Sequence, residues 1–161
     1  MKILAKTLVA ILVCMVLALV VLRIIGLSPR ARTPGLWLNG NVATAPVTDW
    51  LFTDKVPVIQ LQTSTPYFLP HSVNINCVAY NGKLYLTSVY PGGTLRNWNA
   101  NVERDPQVRL RIAGQIYERK LVEVTDLAEK TGELQARVTK YHQLKPPADL
   151  STAHVFRVED D

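Results

Sequence analysis

The residues best suited to chemistry gather in one stretch, Thr87 to Leu110, and most densely in the turn Tyr90-Pro-Gly-Gly-Thr-Leu-Arg96. Gly92 and Gly93 carry no Cβ, so backbone there can approach a ligand closely. Thr94 is an N-cap residue for a short helix, and the free amides of a first helical turn make an anion site. Arg96 lies in that same turn, where a guanidinium can grip a phosphate through two parallel hydrogen bonds. His71, Ser72 and Asn74 form a second polar group that a neighbouring strand would present to a ring edge or a phosphate. The same residues also suit a plain strand-to-helix connection, in which glycine serves only the turn, Arg96, Ser72 and Asn74 face water, and His71 packs in a loop.

Several chemistries are excluded by pattern. The chain has no Gly-x-Ser-x-Gly nucleophile elbow, no phosphate-binding P-loop and no dinucleotide-binding glycine fingerprint. His71, Cys77, His142 and His154 do not fall at metal-ligand spacing, so no metal site is expected. No pair of carboxylates is set for acid–base work. Chemistry in this domain would therefore come from a bound cofactor. No catalytic residue is assigned; His71 and Tyr90 are the proton-donor candidates.

Elements must hold these residues in place. Val56–Thr63 reads as a short strand with Pro57 near its start, as an edge allows. Ser64–Pro70 is a loop, and Ser72–Tyr80 a second strand. Asn81-Gly82 supplies the two positive-φ residues of a type I′ turn, so Lys83–Val89 returns as a hairpin partner. Leu95, Trp98 and Val102 line one face of a two-turn helix, which makes Trp98 a core residue before it is a stacking platform. Gln107–Ala113 alternates, with Val108, Leu110 and Ile112 on one face and Arg109 and Arg111 on a solvated one. Ile116–Thr125 pairs with it. Thr125 caps a longer helix with Asp126 and Glu129 in its first turn, buried along Leu127, Leu134, Val138 and Tyr141. Pro146-Pro147 stop it, and Ala153–Val158 is a last strand. The class is α+β: a small antiparallel barrel of about six strands with two helices.

A membrane segment precedes the barrel. Thr7–Leu22 is sixteen uncharged, almost wholly apolar residues. Counting on to Leu27, with Arg23 snorkelling, residues 7–27 reach the roughly twenty needed to cross a bilayer. A cleaved signal peptide is the rival, but no small-x-small site follows the run. Lys2 and Lys6 stand against Arg23, Arg30 and Arg32, so the positive-inside rule nearly cancels. A short basic start running straight into an apolar stretch favours export of the domain. The expectation is a single-pass protein of bacterial inner-membrane type with a periplasmic domain. Its divisions are an anchor at 1–27, a linker at 28–48 bearing Trp37, and a barrel at 49–161 bearing Trp50. The two tryptophans are set either for the headgroup layer or for the base of the domain.

Five of the eighteen Lys and Arg precede Thr33, leaving thirteen against thirteen acids in residues 33–161. The domain is formally neutral, and no nucleic-acid footprint is left. Cys77 is the lone cysteine outside the apolar run, which suits a small buried hydrophobe in a strand.

The order Gly82-Lys-Leu-Tyr-Leu-Thr-Ser88, Gly92-Gly93, Trp98-Asn-Ala-Asn-Val102, Asp105-Pro-Gln-Val-Arg-Leu110 resembles the split β-barrel superfamily of flavin-binding proteins. That superfamily includes pyridoxamine 5′-phosphate oxidase-like proteins and deazaflavin-dependent nitroreductases. The resemblance spans roughly residues 50–125. It implies that Thr87, Ser88, Thr94 and Arg96 hold a cofactor phosphate, and that the protein forms a homodimer acting on a small-molecule substrate. It implies FMN as the cofactor, with deazaflavin or haem as alternatives, or an empty pocket on a binding or scaffold domain. One departure bears on the choice. Deazaflavin enzymes carry a basic glycine-rich segment where this chain reads Thr63-Ser-Thr-Pro-Tyr-Phe-Leu-Pro-His71.

Overall fold

The computed structural model describes residues 2–89 and 97–160. It begins with a helix, α1 (Lys2–Ile25), of which no residue is buried against the rest of the chain. Its 24 residues span about 36 Å at roughly 1.5 Å each, against a bilayer core of about 30 Å. Among the described residues it is the one helix long and apolar enough to cross a membrane.

Eight strands follow: β1 (Asn41–Val42), β2 (Ile59–Thr63), β3 (His71–Ile75), β4 (Cys77–Tyr80), β5 (Lys83–Val89), β6 (Gln107–Ile112), β7 (Gln115–Glu123) and β8 (Ala153–Glu159). Two helices complete the domain, α2 (Asn97–Arg104) and α3 (Leu127–Lys140). The strands make one sheet in the order β3-β2-β6-β7-β8-β5-β4, antiparallel throughout, with β1 added to β7 in parallel. The two ends of that order, β3 and β4, are separated in sequence by Asn76 alone. The chain therefore steps directly from one edge of the sheet to the other, and the sheet must curl on itself to let it. This is an α+β split barrel. The stretch expected as one strand, Ser72–Tyr80, is two, because its halves pair with opposite edges: β3 with β2 and β4 with β5.

Alternation along the strands sorts the core. Leu61, Leu84, Leu86, Leu110, Ile112 and Phe156 point into the barrel and are sealed there with Trp50, Trp98 and Val102. Tyr85, Val78 and Val155 point the other way and meet Leu134 of α3 in a second cluster. The Asn81-Gly82 turn has φ of 49° and 74°, the two left-handed residues of a type I′ hairpin. The cap of α3 is Asp126, whose side chain accepts from the Glu129 amide at 2.7 Å, and not Thr125. A carboxylate there also answers the positive end of the helix dipole.

Residues 27–43 pack against the sheet. Leu27 and Trp37 pair through backbone, Arg30 and Thr33 close a turn, and Gly35 exchanges both backbone hydrogen bonds with Ser72 of β3. This hairpin, which follows α1 directly, covers the outer face of β3, β2 and β6. It buries Trp37 and Leu38, and the Leu38 amide donates to Gln62 Oε1 at 2.6 Å. Arg109 and Arg111, expected on a solvated face, lie half-buried beneath it; Arg111 donates to Ser28 Oγ at 3.0 Å and Arg109 to the Leu38 carbonyl at 3.4 Å. Trp37 and Trp50 thus serve the domain's packing, with Arg23 held 5.8 Å over the Trp37 ring.

Candidate functional site

The helix α3 packs over β4, the hairpin partner of β5, and its long side chains reach across to β5, along which they advance in step. Four helical residues rise about 6 Å, close to the rise of two strand residues. Glu129, Glu133 and Arg137 therefore face Tyr85, Thr87 and the end of β5 in turn. The Tyr85 hydroxyl donates to Glu129 Oε1 at 2.6 Å, and Arg157 grips the same carboxylate at 2.7 and 2.8 Å. One step along, Thr87 Oγ1 donates to Glu133 Oε1 at 2.5 Å. Glu133 is fully buried, and burial pushes its carboxyl up to about 7. One further turn brings Arg137 to a cleft.

That cleft has a volume of about 400 Å³ and is lined by Arg137, Thr87 and Val89 on one side, and by Trp98 of α2. His71, Val73 and Asn74 of β3 and Arg32 and Pro34 of the hairpin after α1 make up the other side. Its size lies toward the lower end of the roughly 300–1,000 Å³ typical of small-molecule sites. Among the described residues, two arginines line it and no carboxylate does. His71 is partly buried, which lowers its pKa; its Nδ1 has no hydrogen-bond partner among the described residues. A larger hollow of about 680 Å³ between β4 and α3 contains none of the residues singled out from the sequence.

The structure therefore brings three of the sequence candidates, His71, Asn74 and Thr87, to one cleft and parts them from two others. Ser72 is wholly buried under the hairpin; a Cβ on Gly35 would collide with its Oγ, so no ligand reaches it. Ser88 is buried and alternates onto the face of Leu84 and Leu86, opposite Thr87. Gly92, Gly93, Thr94 and Arg96, with Tyr90, lie outside the described residues. Trp98 is 3 % exposed and meets Phe156 edge-on at 5.4 Å, in the core as its spacing required. Three residues escaped the sequence reading: Arg32, Glu133 and Arg137. Glu133 and Arg137 fall at i and i+4 on the helix, a step after Glu129, and that polar stripe was their only sequence signal.

The split barrel defines the class to which this fold belongs, and solved structures share it. A protein from Bacteroides thetaiotaomicron, assigned as a 5-nitroimidazole antibiotic resistance protein, matches with a TM-score of 0.55 at 14% identity, over 82% of this chain and 90% of that one. A protein from Listeria innocua, assigned as a pyridoxamine 5′-phosphate oxidase, matches at 0.51 and 16% identity, over 65% and 84%. An F420-H2-dependent reductase matches at 0.50 and 22% identity, over 65% and 95%. No protein-family model matches the sequence, and no curated protein is significantly similar to it. At these identities the likeness is one of fold.

Proposed function

We propose that this is a membrane-tethered split-barrel protein that binds a flavin-type cofactor, FMN in the first place, and serves a redox reaction on a small acceptor. One observation carries the reading: on this fold, a cleft large enough for a cofactor assembles two guanidiniums, an imidazole and a threonine hydroxyl, with no acid among the described residues that line it. These residues fit the phosphate end of such a group. Arg137 and Arg32 supply charge and His71 a hydrogen bond. When bound, a reduced flavin supplies hydride. The chain's own part is to grip the phosphate and shield the ring. The tether is α1, uncovered by the domain and long enough to span a bilayer. The periplasmic side and a homodimer complete the proposal.

A second reading, a non-catalytic domain with an empty pocket, draws on two observations. The Thr87 hydroxyl is already taken by Glu133, and Ser72 is sealed. One experiment separates the readings. The full chain is purified in detergent micelles, its visible spectrum recorded, and any released ligand weighed by mass spectrometry. Flavin bands, or their appearance on adding FMN, support the first. A colourless protein that takes up neither FMN, deazaflavin nor haem establishes the second.

A further inference from the structure

We propose that the juxtamembrane hairpin is part of the ligand site: Arg32, at its turn, and Arg137, on α3, close on a phosphate group from opposite sides of the cleft. The inference rests on the cleft described above, and it extends the flavin reading by assigning the phosphate grip to the tether segment.

Arg137 has the stronger need of an anion. Arg137 is half-buried at the cleft, and burial lowers its pKa, so the protein holds a charge where it is incompletely solvated. A buried cation without a counter-ion is costly. Among the described residues, the one carboxylate acting on it is Glu133, on the turn before. That carboxyl is itself pushed toward neutrality and already accepts from Thr87. A ligand phosphate in the cleft would supply the missing charge.

Arg32 is exposed, but its backbone is fixed. The turn is closed by Arg30 and Thr33, whose backbone amides donate to each other's carbonyls at 3.1 and 2.8 Å. Ala31 adopts φ +48° within it, and the Ala31 carbonyl accepts from Asn74 Nδ2 of β3 at 3.1 Å. Gly35 then docks on Ser72 at 2.8 and 3.0 Å. Two attachments to β3 thus bracket Arg32 and set it on the rim of the cleft. A neighbouring hollow of about 400 Å³ shares Arg32, Pro34, Val73 and Asn74, so the space continues along the hairpin beyond the phosphate position.

The test uses the full chain in uncharged micelles and three probes: FMN, riboflavin, which lacks the phosphate, and inorganic pyrophosphate. Binding is read from flavin fluorescence and from tryptophan fluorescence. Arg32→Gln and Arg137→Gln should each weaken FMN by roughly ten- to a hundredfold, the range set by losing one charge-assisted hydrogen bond. Riboflavin affinity should be unchanged by either. Unchanged FMN affinity in Arg32→Gln overturns the inference. If Arg137→Gln fails to fold, Arg137→Lys keeps the charge, and its double variant with Arg32→Gln carries the comparison. Should the wild type bind pyrophosphate in an Arg32-dependent way but neither flavin, the flavin reading fails and the clamp stands. Displacement of pyrophosphate by phosphatidylglycerol mixed into the micelles would assign the clamp to a lipid headgroup; no displacement assigns it to a soluble phosphate.

Discussion

Replacing Glu133 by glutamine tests the polar stripe between α3 and β5. In the fold the carboxyl is raised from 4.5 to about 7, chiefly by burial, with the Thr87 hydrogen bond and Arg137 pulling the other way. In the unfolded chain it releases its proton near its ordinary value. Between those two pH values the folded state binds more protons than the unfolded one, so stability must fall as pH rises. The contribution is whole below about pH 4.5 and is lost by the time pH passes the folded value. A tenfold change in a proton equilibrium is worth about 1.4 kcal/mol, so the total loss is about 3 kcal/mol, of which roughly 2–3 falls between pH 5 and 8. The other titratable groups on this stripe are Tyr85, Glu129 and Arg137, whose own shifts lie outside that window or run with their partners. His71, lowered by burial, acts in the opposite sense: its stability is present above its unfolded value and is lost as pH falls. The clean comparison is therefore wild type against Glu133→Gln at pH 5, 6, 7 and 8, by urea unfolding followed through tryptophan fluorescence. Glutamine keeps an acceptor for the Thr87 hydroxyl and cannot ionise. Its curve should lie above the wild type's at pH 8 and be flatter by roughly 2 kcal/mol across the range. Parallel curves would refute the claim that this carboxyl is held in its neutral form.

Three further outcomes are expected. Gly132→Ala should destabilise by about 1–3 kcal/mol, since its Cβ would land on the Tyr80 hydroxyl; the double variant with Tyr80→Ala should behave less than additively in the same unfolding assay. Leu110→Ala, at a side chain wholly buried in the barrel, should cost about 3–5 kcal/mol through the cavity it leaves, read from the urea midpoint. Cys77 is 2 % exposed and burial pushes its thiol up, so iodoacetamide should leave it unmodified in the native protein at pH 8 and label it in denaturant, as peptide mass spectrometry would show; labelling of the native thiol would contradict its burial.

Elements whose cause is local were legible in the sequence. Asn81-Gly82 needs only its own two residues to make the turn, and Gln107–Ile112 shows its alternation without reference to a partner. The break between β3 and β4 was not, because nothing in Ser72–Tyr80 changes character at Asn76; only the sheet's two edges distinguish the halves. The hairpin after α1 was hidden for a similar reason. Its prolines and glycines spell irregular backbone, while its hydrogen bonds are to residues tens of positions away, such as Gly35 with Ser72 and Leu38 with Gln62. At the site, His71 and Thr87 share the cleft, yet Ser72 and Ser88 sit one residue from each and face elsewhere, since a strand reverses its side chains at every step. Nothing in the sequence sets Arg137 apart from the other basic residues of its helix. Its significance depends on the packing of α3 over the β4–β5 hairpin, which is a tertiary fact.

The place of β8 in the ladder has a consequence for synthesis. It pairs with β5 on one side and β7 on the other, as in Leu86 with Phe156 and Leu121 with Val158. A nascent chain still holding residues 153–159 in the exit tunnel has two separate pieces of sheet, β3-β2-β6-β7 and β5-β4, each with a bare edge. By then α1 has long left the ribosome, so the domain finishes folding after its first helix is complete. Such unpaired edges are where β proteins aggregate. The same gap also makes the domain suited to complementation: a chain ending before residue 153 would present two edges to a free peptide of the β8 sequence, and both would zip it into one slot.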